Sequence, residues 1–232
     1  MRPSRRSRGR GIVTIRRLIA ALVAAEELNF LLTNRVPRRL LTRLVGRVSR
    51  IEHPAVARAG IALWRLFTPL DLSEAESDRF PSIGACFTRR LRDGARPFDP
   101  RPGMLASPCD AIVGVLGQIE DGRAWQIKGA PYRLEELLGD AALAAELAGA
   151  SYCTLRLTSA MYHRFHAPAA LVVEGVRYLS GDCFNVNTPA LKRVERLFCR
   201  NERAVLRCRL PDGSRLVIVA VAAILVAGIR LR

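Results

Sequence analysis

The chain has 232 residues, 50% of them hydrophobic and 25% charged, with a formal net charge of +16. That balance excludes an intrinsically disordered chain, and the length allows one well-buried core with a small helical appendage. Thirteen Arg against two Glu put +11 of the charge in the first 50 residues, which points to a polyanionic partner, either nucleic acid or an anionic membrane.

Residues 1–10 are Arg, Ser and Gly, a composition that cannot bury a core. An apolar run at 18–25 follows a basic start, but Glu26 and Glu27 interrupt it, which argues against a cleavable export signal. No run reaches the roughly 18–20 apolar residues of a membrane-spanning helix. Over 38–50, Leu40, Leu41, Leu44, Val45 and Val48 recur at helical spacing, and Arg38, Arg39, Arg43, Arg47 and Arg50 fill the remaining positions. This pattern suits a helix in a membrane interface, or one packed on the protein's own core with a solvated arginine face. Residues 61–66 predict a further helical turn that Thr68-Pro69 breaks, and 73–78 read as an acidic surface segment.

From Asp110 onward the texture is β. Residues 112–119 and 124–127 read as strands around an Asp121-Gly122 hairpin turn. Residues 133–138 read as a short helix stopped by Gly139, and 141–147 as helix or loop. Strands are predicted at 152–157, 171–178 and 204–210, with a second turn at Asp212-Gly213. The apolar stretch 216–229 suits one or two buried strands. Cys86, Cys109, Cys153, Cys183, Cys199 and Cys208 form no C-x-x-C pair, and no His stands at ligand spacing from two of them. They read as small buried hydrophobes in a reducing compartment, not as zinc ligands.

Two of the three histidines fall in Tyr162-His163-Arg164-Phe165-His166. Imidazoles move protons readily near pH 7, although two of them on a loop can equally be a solvated pair. With Pro168 after it, this stretch resembles the signature of phosphatidylserine decarboxylases. Further segments follow the order of that family. They are Arg96-Pro97, Ser107-Pro108-Cys109-Asp110, Gln126-Ile127-Lys128-Gly129, Leu137-Leu138-Gly139, Gly181, Val186-Asn187 and Leu197-Phe198 with Asn201-Glu202-Arg203. The match runs from about residue 40 to 229.

The resemblance implies an α+β fold: N-terminal amphipathic helices, then a β-rich, mainly antiparallel catalytic domain. The expected division is 1–70 for the basic tail and membrane-docking helices and 71–232 for the decarboxylase-like domain. The implied reaction takes phosphatidylserine to phosphatidylethanolamine and carbon dioxide, in phospholipid biosynthesis. The family makes its own pyruvoyl cofactor when a zymogen cleaves itself at the serine of a Leu-Gly-Ser-Thr motif, and the resulting carbonyl acts as the electron sink. Motif by motif, Asp110 and His166 match the pair that activates this serine, and His163 matches the histidine that faces the substrate.

No Leu-Gly-Ser-Thr occurs in residues 1–232, and Gly213-Ser214 lies in a turn. Met161, Ala111, Leu171, Ser180, Ala222 and Gly228 also depart from the family pattern. The expectation is therefore a C-terminally truncated domain that forms no pyruvoyl group by itself. Its expected partners are a phospholipid membrane, phosphatidylserine and a separate C-terminal pyruvoyl chain, at the cytoplasmic face of the cell membrane; a homo-oligomer stays open. The alternative is an inactive homologue or fragment that binds lipid or a partner chain. Nucleic acid is disfavoured, because the arginines interleave with aliphatic residues, not with stacking aromatics.

Overall fold

The computed structural model describes residues 26–99, 101, 103–127 and 130–230. The basic tail, the apolar run at 18–25 and Lys128-Gly129 of the Gln126 motif lie outside these residues.

Four helices come first. They are α1 (Glu26–Asn34), α2 (Arg38–Val48), α3 (Pro54–Phe67) and α4 (Ile83–Phe87). Helix α3 starts at Pro54, whose missing N–H costs nothing in a first turn, and His53 Nδ1 accepts from the Ala55 N–H. Ser82 caps α4 in the same way, accepting from Ala85 N at 3.1 Å. On α2 the apolar residues divide. Leu41 and Val45 turn inward beside buried Thr42, while Leu40, Leu44 and Val48 stay exposed next to Arg39, Arg43 and Arg47. The apolar stripe that the sequence marks is thus not consumed by the protein's own core.

The helices are tied to the β region by specific polar contacts. Arg38 pairs bidentately with Asp182, at 3.0 and 2.7 Å, and its guanidinium lies 3.8 Å from the Phe184 ring centroid. Asn34 Oδ1 accepts from Asn185 N, Asn187 Nδ2 donates to Asn29 Oδ1, and Thr42 Oγ1 accepts from Leu225 N.

The β region is α+β with antiparallel ladders. Strand β1 (Ile112–Gln118) pairs with β4 (Ser151–Arg156), and β2 (Arg123–Ile127) pairs with β3 (Ala130–Arg133). Strands β5 (Val172–Leu179), β6 (Arg203–Arg209) and β7 (Arg215–Val221) form a three-stranded sheet with β6 central. Between them lie α5 (Leu134–Leu138), α6 (Ala141–Glu146), α7 (Thr188–Arg193) and α8 (Leu197–Arg200). Gly139 ends α5 with φ +62°, as a left-handed C-terminal residue should.

One strand expectation needs correcting. Asp121 and Gly122 do make a tight turn, with φ +50° and +68°, but the strands on either side do not form a hairpin beyond the Glu120–Arg123 bridge. The backbone of Ile119 is instead bonded to Gly149 and Ala150, so β1 is committed to β4. The stretch 216–229 holds one strand, β7, followed by a turn in which Ala223 and Val226 exchange hydrogen bonds. Of the six cysteines, three are buried as expected, whereas Cys153 is exposed on β4.

The core is built around β6. Val205 faces one cluster with Ile119, Tyr132, Leu137, Leu138 and Leu143, and Ala204, Leu206 and Cys208 face another. This is the period of two of a strand covered on both faces. Phe165, inside the histidine motif, packs on the second cluster and so anchors that loop. The Asn201-Glu202-Arg203 motif is structural. Fully buried Asn201 accepts from Phe184 N and donates to Phe184 O and Ala222 O. Arg203 donates to the carbonyls of Glu136, Leu137, Cys199 and Asn201, closing the ends of α5 and α8. Gln126 similarly joins β2 to α7 and α8 through Leu191 O, Val194 O and Leu197 N.

Candidate active site

The segment 158–168 carries both motif histidines, and it is fixed on two sides. Arg164 Nε donates to Thr88 O at 2.8 Å, and Arg89 Nη2 donates to Ala160 O at 3.2 Å. On the other side His166 N donates to Pro108 O at 2.7 Å, and Ala106 N donates to Pro168 O at 2.9 Å. These backbone bonds bring the Ser-Pro-Cys-Asp turn against the histidine loop, so Asp110 and His166 share one end of the domain although 56 positions separate them.

Their side chains, however, have other partners. The Asp110 carboxylate takes a bidentate pair from Arg96, at 2.7 and 2.6 Å, and the same guanidinium grips Glu74 at 3.1 and 2.9 Å. The Arg96 bonds hold the Asp110 carboxyl below the usual carboxylate range, against a smaller opposing effect of burial. His166 is exposed, its Nε2 lies 2.9 Å from the Tyr162 hydroxyl, and the two rings stack with centroids 5.6 Å apart. Among the described residues no hydrogen bond joins Asp110 to His166. Tyr162 is buried, and desolvation raises its phenol pKa, so the hydroxyl keeps its proton.

His163 turns the other way. Its ring lies 3.9 Å from the Phe87 centroid, and Nδ1 is 2.9 Å from the Met161 carbonyl. A carbonyl only accepts, so Nδ1 carries the proton and Nε2 keeps a lone pair. Burial, aided by the Arg89 charge and opposed by the Met161 bond, lowers its pKa to about 4, which makes it neutral at pH 7.

A cavity of about 130 Å³ adjoins Asp110 and Tyr162 and is lined also by Glu74, Arg89 and Arg96. Arg89 is buried, and among the described residues its Nε has no hydrogen-bond partner. The arrangement offers an exposed imidazole, a carboxylate held ionised, a protonated phenol and a second, neutral imidazole, all of which suits proton transfer.

A protein-family model described as phosphatidylserine decarboxylase matches residues 83–232, a span that includes Arg96, Asp110 and the histidine loop. The chain belongs to the phosphatidylserine decarboxylase family. Curated relatives agree. The phosphatidylserine decarboxylase proenzyme of Alcanivorax borkumensis is 39% identical over 199 residues, which cover 84% of this chain and 68% of the relative. The proenzyme of Acinetobacter baumannii is 36% identical over 84% of this chain and 70% of its own length, and that of Pseudomonas fluorescens 38% over 84% and 68%. The family is one of decarboxylases made as proenzymes.

Within the family site, sequence reasoning named Asp110, His163 and His166 but not Tyr162, Arg96, Glu74, Arg89 or Phe87. Tyr162 and Arg96 lie in the motif segments that signalled the family, so position offered a hint. Nothing in the sequence pairs Glu74 with Arg96 across 22 residues or puts Phe87 under His163.

Proposed function

We propose that the chain carries out its family's reaction on phosphatidylserine, with Asp110, His163 and His166 handling protons. The observation that carries this reading is the contact at His166, whose Nε2 already lies 2.9 Å from a hydroxyl while its ring stays open to solvent. A serine hydroxyl arriving from the family's Leu-Gly-Ser-Thr segment would compete with Tyr162 for that nitrogen. In the tautomer that leaves Nε2 unprotonated, His166 accepts from the Tyr162 hydroxyl and has the form of a general base. Asp110, ionised by Arg96, supplies the negative charge that stabilises the imidazolium once formed. His163, neutral with a free Nε2 lone pair, can orient a donor but is a weak base at pH 7.

The family's cofactor, a pyruvoyl group, supplies a carbonyl that takes up the electron pair left as carbon dioxide departs. The groups present fit its formation: an exposed imidazole and, at the same end of the domain, an ionised carboxylate that lines a cavity.

Phosphatidylserine lies in membranes, and the exposed surface of the N-terminal helices suits docking there. Leu40, Leu44 and Val48 on α2, with Leu63 and Phe67 on α3, are exposed beside arginines. Among the described residues no helix is long and apolar enough to cross a membrane. The proposed location is peripheral, at the cytoplasmic face.

The test is to express residues 1–232 together with a family segment carrying Leu-Gly-Ser-Thr. Self-cleavage of that segment and carbon dioxide release from phosphatidylserine should appear, and both should vanish with His166→Ala. A segment that associates but never cleaves would support the inactive-homologue reading. Residues 1–232 alone should keep their 25.6 kDa mass and release no carbon dioxide.

A further inference from the structure

Three aromatic rings form a column from helix α3 into the site. Trp64, half-buried on α3, lies 5.9 Å from Phe87 with the planes at 34°, and Phe87 lies 3.9 Å from His163 at 33°. Phe87 is the last residue of α4, a five-residue helix wedged between its neighbours. Gly84 N donates to Ser49 O at 2.7 Å, and a Cβ on Gly84 would come within 3.0 Å of that oxygen. On the other side a Cβ on Gly60 would lie 2.2 Å from Ile83 Cδ1, so α3 sits directly on α4.

The column has little freedom at its far end either. His163 Nδ1 is bonded to Met161 O, and the flanking loop is bonded to Thr88 and Arg89, the residues that follow Phe87. Aromatic contacts of this kind are directional. We propose that Phe87, backed by Trp64, is the positioning residue for His163, so that helix α3 sets the orientation and tautomer of the imidazole. The proposal rests on the role given to His163 above, and it names two residues outside the histidine motif that control that role. It also links the site to a helix whose exposed Leu63 and Phe67 flank Trp64.

The charged groups on these elements are Arg58 and Arg65 on α3, Arg89 and Arg90 after α4, and Arg164 on the loop; Cys86 on α4 is titratable and buried. Arg89 is the charge that acts on His163, in the same direction as burial. Removing the ring cover therefore changes desolvation while leaving Arg89 in place.

The experiment is an NMR titration of the full chain labelled with ¹⁵N-histidine, with His163→Gln used to assign the resonance. In the parent chain His163 should show one tautomer, protonated at Nδ1, and stay neutral down to about pH 4. Phe87→Ala should raise its midpoint by about one pH unit or more as water reaches the ring, and should mix the tautomers. Trp64→Leu should move it in the same direction by less, and Phe87→Tyr should restore the parent behaviour. Parent-like near-UV circular dichroism and amide dispersion show that a variant has folded, and Phe87→Leu takes the place of an alanine variant that has not. A folded Phe87 variant with the parent midpoint and tautomer would overturn the proposal, and so would a Trp64→Leu spectrum identical to the parent's. The readout needs no decarboxylation, so a failed activity assay and a failed positioning role give different results.

Discussion

The Tyr162 hydroxyl lies 2.9 Å from Nε2 of His166, with the two rings stacked 15° from parallel. The imidazole that the family motif assigns to serine activation is therefore held by a neighbour four residues away and not by Asp110. A stacked phenol fixes both the ring plane and the hydrogen-bonded nitrogen of an otherwise exposed side chain. Tyr162→Phe keeps the stack and removes the bond. It should cost about 1 kcal/mol in urea unfolding, the usual net value of one hydrogen bond, and let the His166 tautomers mix in an ¹⁵N spectrum. A single unchanged tautomer would mean that the hydroxyl does not set the ring.

Arg96→Ala should alter acid stability in a defined window. Arg96 holds the Asp110 pKa below its ordinary value in the folded state. Stability from that pair is thus fully present above the unfolded pKa of 3.8 and is lost as pH falls through the folded value. The Arg96 side chain is 44% exposed, so screening limits the effect to about 1 kcal/mol. Urea midpoints of parent and variant should differ at pH 6 and draw together as the pH falls below 3.8. A gap that stays the same across that range would rule out the ion pair as its source.

His163 acts in a different window. Its folded pKa of about 4 lies below the ordinary 6.5, so on acidification the unfolded chain takes up the proton first. Its contribution to stability is intact above pH 6.5 and drains away between 6.5 and 4, by on the order of 3 kcal/mol at most. His163→Gln should flatten that part of the stability profile, whatever its effect at pH 7. An identical slope in the two proteins would argue that the imidazole is not desolvated.

Gly181→Ala probes the Asn-Glu-Arg motif from its other side. A Cβ there would stand 2.5 Å from Arg200 O and 2.7 Å from both Asn201 C and Glu202 N, all backbone atoms that cannot swing away. A loss of about 1–3 kcal/mol is expected in chemical denaturation, with weakening of the parallel Asp182–Asn201 bridge. A variant as stable as the parent would show that the strand end has room to shift.

Membrane docking predicts that Leu44→Glu weakens sedimentation with anionic vesicles more than Thr88→Ser does, because Leu44 lies in the exposed stripe of α2. Parent binding should fall as salt rises, since arginines supply part of the attraction. Equal binding by Leu44→Glu and the parent would remove α2 from the docking surface.

The sequence by itself determined the family, because several short motifs in a fixed order each carry local chemistry. It also determined most elements, since a turn at Asp121-Gly122, a Gly139 stop and alternating strands depend on a residue and its near neighbours. The helical span Arg38–Val48 was legible for the same reason. Tertiary structure decided what periodicity cannot encode. It put Leu40, Leu44 and Val48 outward, because Arg38 and Thr42 on the opposite side are held by Asp182 and Leu225. It sent β1 to β4 and not to β2, a choice between two edges that look alike in sequence. It gave Asp110 to Arg96 and His166 to Tyr162, and it set Phe87 against His163. Bidentate pairs and ring stacks depend on distances of a few ångströms between segments as far apart as Arg38 and Asp182, 144 residues from each other. Only the packed chain fixes such distances.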